Sequence, residues 1–203
     1  MAKRAAPEVN AGSMADIAFL LLIFFLVTTT IETDSGISRR LPPIDDNIKP
    51  PIITEKNIFI VLTNKDDQLL VENELMDIKD LRAAAMSFLD NGGGVGEEAC
   101  NYCQGTSDPT SSDNPEKAII SLQNDRATSY KMYIAVQNEL VAAYNDLRDR
   151  EAQRLYGQDY RMMEKNFADG GWRGNKDKLK EQLDVLKNMY PQKLSEAEPK
   201  KTN

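Results

Sequence analysis

An acid within an apolar run has the most distinctive chemical setting in the sequence. Residues 14–31 read MADIAFLLLIFFLVTTTI, and Asp16 is their only ionisable side chain. A carboxylate is costly to place in hydrocarbon, so it is expected to face protein or water, and it usually marks an ion or proton pathway. Asp16 is therefore a candidate proton-carrying residue.

The apolar run has the length of a membrane-spanning helix. As a helix it would extend over roughly 27 Å, close to the hydrocarbon thickness of a bilayer. It lacks the polar stripe of a surface helix, so we predict a single transmembrane helix over residues 12–31. Two other interpretations are open. One is a cleaved signal peptide, although no small-x-small cleavage site follows the run. The other is a plain anchor helix, with Ser13 and Asp16 serving only as N-terminal caps.

Threonines at the end of the run have two possible roles. Thr28 and Thr29 could donate hydrogen bonds to a partner helix. Threonines in helices more often bond to carbonyl groups of their own helix, and we favour that interpretation.

A second candidate chemical group is the pair Cys100 and Cys103, spaced C-x-x-C within the Gly-, Ser- and Asp-rich residues 92–115. One pair without histidine or further cysteines cannot complete a zinc site. We predict that residues 92–115 form an exposed loop insertion and, if the loop lies outside the cytoplasm, that a local disulfide joins the two cysteines. A thiol oxidoreductase is the alternative.

Composition excludes several classes of function. The chain has 203 residues, a net charge of −7 and no histidine, which excludes imidazole-dependent triads and histidine metal sites. It has no basic stripe to follow phosphates, so we expect no nucleic-acid partner. It also has no Gly-rich phosphate loop, nucleophile elbow or metal cluster. We therefore predict a protein that is not an enzyme and needs no cofactor.

Charges around the run predict its orientation. Lys3 and Arg4 precede it, while Glu32 and Asp34 follow it. A short basic N-terminus favours a cytoplasmic location for residues 1–11 and an extracytoplasmic location for the rest. The proline-containing residues 32–51 then form a linker.

The remaining sequence predicts a small α+β domain over residues 52–150. Apolar and β-branched runs at 57–62, 69–71 and 117–122 indicate strands. Three- and four-residue periodicity indicates helices over 78–89 and from about residue 129. The order β-β-α-β-α predicts a two-layer sandwich. Residues 151–203 are expected to be an extension with one helix at 176–190 and a polar, disordered tail.

These motifs together resemble the ExbD/TolR biopolymer-transport family over about residues 8–150. The family has an Asn, five further residues, and an Asp that opens its only transmembrane helix, a spacing matched by Asn10 and Asp16. Gly12-Ser13 replaces the family's usual Thr-Pro. Leu41-Pro42 resembles the family's linker, and Asp125-Arg126 with Tyr130 resembles its motif between the third strand and the second helix.

The resemblance implies a subunit of an inner-membrane motor driven by proton motive force, with a periplasmic C-terminal domain. Two copies of an ExbD-like chain would place their helices inside a pentamer of multipass ExbB-like subunits and transmit work to a TonB-like protein. Asp16 would carry H⁺, although Na⁺ is not excluded, and Asn10, Ser13, Thr28 and Thr29 would support the membrane motif. The alternatives are a TolR-like subunit acting on TolA for envelope integrity, or a membrane-anchored module that binds cell wall or a partner without ion coupling.

Overall fold

The computed structural model describes residues 11–28 and 54–197. The chain divides into two compact units, with the boundary between residues 49 and 50. Residues 1–10 of the predicted cytoplasmic lead 1–11, including Asn10, lie outside the described residues. So do residues 29–53, which hold Thr29, the end of the predicted span and the predicted linker 32–51.

The first unit contributes one helix, α1, over Ala11–Thr28. It lies within the predicted 12–31 span apart from its first residue, and it begins early enough that Asp16 sits in its second turn. Asp16 is therefore not the N-cap that the plain-anchor interpretation requires. Within residues 11–28 and 54–197, no helix qualifies as a membrane span by combined length and hydropathy.

The second unit is built on a five-stranded mixed sheet in the order β3-β2-β1-β4-β5. The strands are β1 (Ile58–Thr63), β2 (Leu69–Val71), β3 (Glu74–Met76), β4 (Ile119–Asn124) and β5 (Leu194–Ala197). The pairs β1–β2 and β2–β3 are antiparallel, whereas β1–β4 and β4–β5 are parallel. Alternate residues of β1 are buried, as expected for a strand with one face on a core.

Four helices complete this globular unit: α2 (Ile78–Leu89), α3 (Tyr130–Tyr156), α4 (Tyr160–Ala168) and α5 (Lys176–Met189). Three of them begin at polar caps, because the Ser129, Asp159 and Asn175 side chains accept from backbone amides of the first turn. The helix α3 ends at Gly157, whose φ of 63° suits a residue without a Cβ.

Two apolar clusters hold the globular unit together. The larger lies between the sheet and the helices α2 and α3, and its fully buried members include Val61, Leu81, Ile120, Leu122 and Leu140. The smaller joins the end of α3 to α4 and α5, through Tyr160, Met163, Leu183 and their neighbours.

The predicted α+β architecture is confirmed for this unit, and the three predicted strands and three predicted helices are all present. The strand β3, the helix α4 and the strand β5 were not predicted. The strand β5 lies in the segment expected to be a disordered tail, and it pairs with β4 from Ile120↔Leu194 to Gln123↔Ala197. The helix α3 continues past residue 150 to Tyr156. Residues 151–197 are thus part of the globular unit and not an appendage.

Candidate functional site

The helix α1 presents Asp16 among apolar side chains. Asp16 and the neighbours one turn away, Gly12, Phe19 and Leu20, are exposed in the single chain. Residues 11–28 contain no other charged side chain, so no cation of α1 neutralises the Asp16 carboxylate. Of the other predicted motif residues, Ser13 and Thr28 lie on α1.

The turn between β4 and α3 carries the other motif that the sequence singled out. The Asp125 amide donates to the Thr63 carbonyl over 2.9 Å, and the Asp125 carboxylate accepts from the Ala127 amide over 2.9 Å. The Thr128 hydroxyl donates to the Asn64 carbonyl over 3.0 Å. These bonds fix the turn to the end of β1. Tyr130 is the first residue of α3, and its exposed ring lines a cavity of about 330 Å³.

Cys100 and Cys103 are joined by a disulfide, with their Cα atoms 5.5 Å apart. The expectation of an exposed loop over residues 92–115 is wrong at the ends of the loop. Ser112 is buried, and so is Asn91, the residue directly before the loop. The Asn91 side-chain amide donates to the Asp108 and Ser112 carbonyls over 2.8 and 2.7 Å. Closing the loop in this way satisfies backbone groups that burial would otherwise leave unpaired.

Asp113 ties the end of the loop to the start of β1. Its carboxylate accepts from the Lys56 ammonium over 2.5 Å and from the Asn57 amide over 2.9 Å. Burial alone raises the pKa of Asp113, but the hydrogen bonds from Lys56 and Asn57 outweigh it and hold the pKa below its ordinary value. Asp113 is therefore a structural anion.

A buried ionic cluster lies where α2, α3 and the end of α5 meet. The Arg150 guanidinium donates to both carboxylate oxygens of Asp90, over 2.5 and 2.9 Å. The Tyr190 hydroxyl donates to Asp90 over 2.6 Å. The hydrogen bond to Asp90 is the main cause that raises the pKa of Arg150, and burial is the main cause that raises the pKa of Tyr190. Arg150 therefore stays charged and Tyr190 stays neutral at neutral pH.

A fully buried carboxylate, Glu151, extends this cluster. It accepts from Arg154 over 2.7 Å and from Arg150 over 3.2 Å. Arg148, also buried, donates to the Tyr190 carbonyl through two nitrogens at 3.0 and 2.7 Å. Glu151 is thus paired with arginine cations, whereas Arg148 donates its hydrogen bonds to neutral oxygens.

The sequence analysis missed these residues because a mixed-charge run at the end of a helix is typical of a solvated surface. One signal could have found them. Arg148 lies four residues after the buried Tyr144, and Glu151 lies four residues after the buried Leu147, which places each on the buried face of α3.

Within residues 11–28 and 54–197, no three His, Cys, Asp or Glu side chains are grouped to hold a metal ion. The acids of the globular unit discussed above are engaged in structural contacts, whereas Asp16 has no cation among residues 11–28.

Comparison with known proteins identifies the kind of protein that carries this acid. A model of the family described as "Biopolymer transport protein ExbD/TolR" matches residues 2–148. A relative from Vibrio cholerae serotype O1, named "Biopolymer transport protein exbD2", is 25% identical over 87 residues, which are 43% of this chain and 62% of the relative. The chain thus spans less than two thirds of that relative's length. Since the family match covers most of the chain, the chain belongs to the ExbD/TolR family of biopolymer transport proteins.

Proposed function

We propose that this chain is an ExbD-like subunit of an inner-membrane motor, and that Asp16 carries the proton that drives it. The observation that carries this proposal is the setting of Asp16, an exposed acid on an apolar helix that meets no counter-charge within residues 11–28. Acids of this kind in membrane segments usually mark ion pathways.

The membrane location rests on the apolar run at residues 14–31 and on family membership. ExbD/TolR proteins are in general anchored in the inner membrane. The basic N-terminus then stays in the cytoplasm, and the globular unit lies in the periplasm.

The physical basis of proton coupling is the difference between two surroundings of one carboxyl group. An apolar environment favours the neutral acid, whereas water or a nearby cation favours the carboxylate. A helix that moves Asp16 between the two loads a proton in one and releases it in the other. Each proton that crosses a membrane potential of about 100 mV supplies about 2.3 kcal/mol.

The exposure of α1 supports the proposed partners. Phe19, Leu20, Leu21 and Leu22 are consecutive, so they point in four directions around the helix, and all are exposed in the single chain. Apolar side chains on every face fit a helix enclosed by other membrane helices. We propose a pentamer of multipass ExbB-like subunits around two copies of this chain, with a TonB-like protein receiving the work.

The name of the Vibrio relative favours the ExbD-like role over the TolR-like role. A TolR-like subunit would act on TolA and envelope integrity. Expression in strains lacking one or the other protein separates the two, because only the matching strain would be rescued.

The direct test is TonB-dependent uptake in a strain without its own ExbD, supplied with this chain and its multipass partner. Asp16→Asn keeps the size of the side chain but cannot ionise, so we expect correct insertion and uptake at background level. Asp184→Asn removes an exposed acid of α5 and serves as the matched control, with normal uptake expected.

Normal uptake by Asp16→Asn would contradict the proton-carrier role. Replacing residues 12–31 by an unrelated helix without acids tests the anchored-module alternative. Full uptake after that exchange would mean that the helix only tethers the globular unit.

A further inference from the structure

The disulfide loop and the end of α5 contact each other through Tyr102, the residue directly before Cys103. The Tyr102 hydroxyl donates to the Met189 carbonyl over 2.8 Å. Its ring packs edge-on against the Tyr190 ring, with the centroids 5.5 Å apart. One side chain of the loop thus binds the last turn of α5 by a polar and an aromatic contact.

Tyr190 is held on its other sides by the buried ionic cluster. Its carbonyl accepts from Arg148, its hydroxyl donates to Asp90, and the Arg150 guanidinium donates to that hydroxyl over 2.7 Å. The loop reaches the same cluster, because the Gln104 amide donates to Asp90 over 3.2 Å. The end of α5 is therefore fixed from the loop side and from the α3 side together.

Strand β5 begins four residues after Tyr190. The Lys193 carbonyl accepts from the Ile120 amide over 2.9 Å, and the parallel register with β4 starts at Leu194. A strand of only four residues depends on the residues before it to hold it beside the sheet. Met189 and Tyr190, which Tyr102 contacts, lie directly before β5 in the chain.

We propose that the Cys100–Cys103 disulfide is a redox-sensitive staple, and that its reduction by an external dithiol loosens the end of α5 and strand β5 through Tyr102. Both sulfurs belong to partly exposed residues, so a reductant has access. A thiolate of the dithiol attacks one sulfur and forms a mixed disulfide. Its second thiolate then closes the reductant's own disulfide, leaving Cys100 and Cys103 as two thiols that take up the two protons.

Tight packing explains why reduction would move Tyr102. Two thiol sulfurs need more separation than a bonded pair. Cys103 is packed closely against Gly92, where an added Cβ would lie 2.8 Å from the Cβ of Cys103. Gly105 is packed against the Asp90 carbonyl, where an added Cβ would lie at 2.5 Å. Because both flanks are packed in this way, we expect residues 100–103, which include Tyr102, to absorb part of the separation.

The test is hydrogen–deuterium exchange of the full-length chain in detergent, with and without dithiothreitol. We expect exchange in residues 186–197 to rise on the order of tenfold on reduction, the scale of losing a cross-link and a hydrogen bond. Residues 69–76, which form β2 and β3, are the internal reference and should not change.

Two variants separate the staple from a general loss of stability. Tyr102→Phe keeps the disulfide and the ring contact but loses the hydrogen bond to Met189, so a smaller rise in the same residues is expected without reductant. Tyr130→Phe alters an exposed tyrosine and is the matched control, with no change expected. Equal exchange in both redox states would overturn the proposal. A rise confined to residues 96–106, or one spread evenly over the whole sheet, would overturn it as well.

Discussion

Two regions of this molecule use carboxylates in opposite ways. In the globular unit, Asp90 and Glu151 are buried and each accepts hydrogen bonds from arginine side chains. On α1, Asp16 has no cation within residues 11–28. The first kind of acid is paired with cations of its own unit and helps to hold that unit together. The second kind has no such partner on its own helix, a setting that suits an acid that gains and loses a proton.

The difference also separates stability from function. Removing a partner of Asp90 should destabilise the globular unit without affecting the proton step. Removing Asp16 should stop the proton step and leave the fold intact. Three substitutions test the structural side of this contrast, in order of decreasing expected loss of stability.

The largest effect is expected at the Asp90–Arg150 pair. Arg150→Met leaves the carboxylate, with a side chain only 8% exposed, without its bidentate partner. Breaking a buried pair typically costs about 3–5 kcal/mol. We expect Arg150→Met to lower the free energy of unfolding by about 3 kcal/mol. This is the lower end of that range, because the Arg150 side chain is 28% exposed. Urea unfolding of the full-length chain, followed by circular dichroism, measures it.

Arg173→Met is the control for this substitution, because Arg173 is exposed. It should leave the free energy of unfolding unchanged. A stability of Arg150→Met equal to that of Arg173→Met would mean that the ionic cluster does not hold α3, α2 and α5 together.

A smaller, pH-dependent effect is expected at Asp113. Its pKa is lowered in the folded state, so the folded protein binds this proton less readily than the unfolded chain does. The stabilisation is therefore present above about pH 4, the ordinary range of an Asp carboxyl, and is lost as the pH falls through the lower folded-state pKa. Urea unfolding between about pH 5 and pH 2.5 should show Asp113→Asn losing less stability across that range than the wild type. Parallel curves would exclude Asp113 as a source of the acid sensitivity.

The smallest effect is expected at Asp77 and Lys79. Their charged atoms are 2.9 Å apart, but the side chains are 72% and 73% exposed. Exposed ion pairs contribute at most about 1 kcal/mol and often nothing measurable. Asp77→Asn should change the free energy of unfolding by less than about 0.5 kcal/mol. A loss comparable with that of Arg150→Met would show that burial is not what distinguishes these acids.

The parts of the molecule that were predictable from sequence carry local signals. The apolar, β-branched run in 57–62 and the helical periodicity in 78–89 each lie within one element, and they correspond to β1 and α2. Asp16 was also recognisable locally, since a single charge in an apolar run needs no knowledge of the fold.

The parts that were not predictable depend on contacts between distant residues. Strand β5 contains Leu194-Ser195-Glu196-Ala197, too polar and too short to indicate a strand, and it is held by pairing with β4. Asp90 contacts Arg150 and Tyr190 across 60 and 100 residues of chain. No sequence periodicity links residues on different elements, so the contacts of Asp90 with Arg150 and Tyr190 could be identified only from the structure.

The central claim is tested most directly by proton flux through the assembled motor. The full-length chain and its multipass ExbB-like partner would be reconstituted in liposomes with an internal pH dye, and a potential of about 100 mV would be imposed. We predict that the wild-type chain supports proton entry and that Asp16→Asn lowers it to the level of the partner alone, with equal amounts of both proteins incorporated. Equal proton entry with Asp16→Asn and with the wild type would contradict the account.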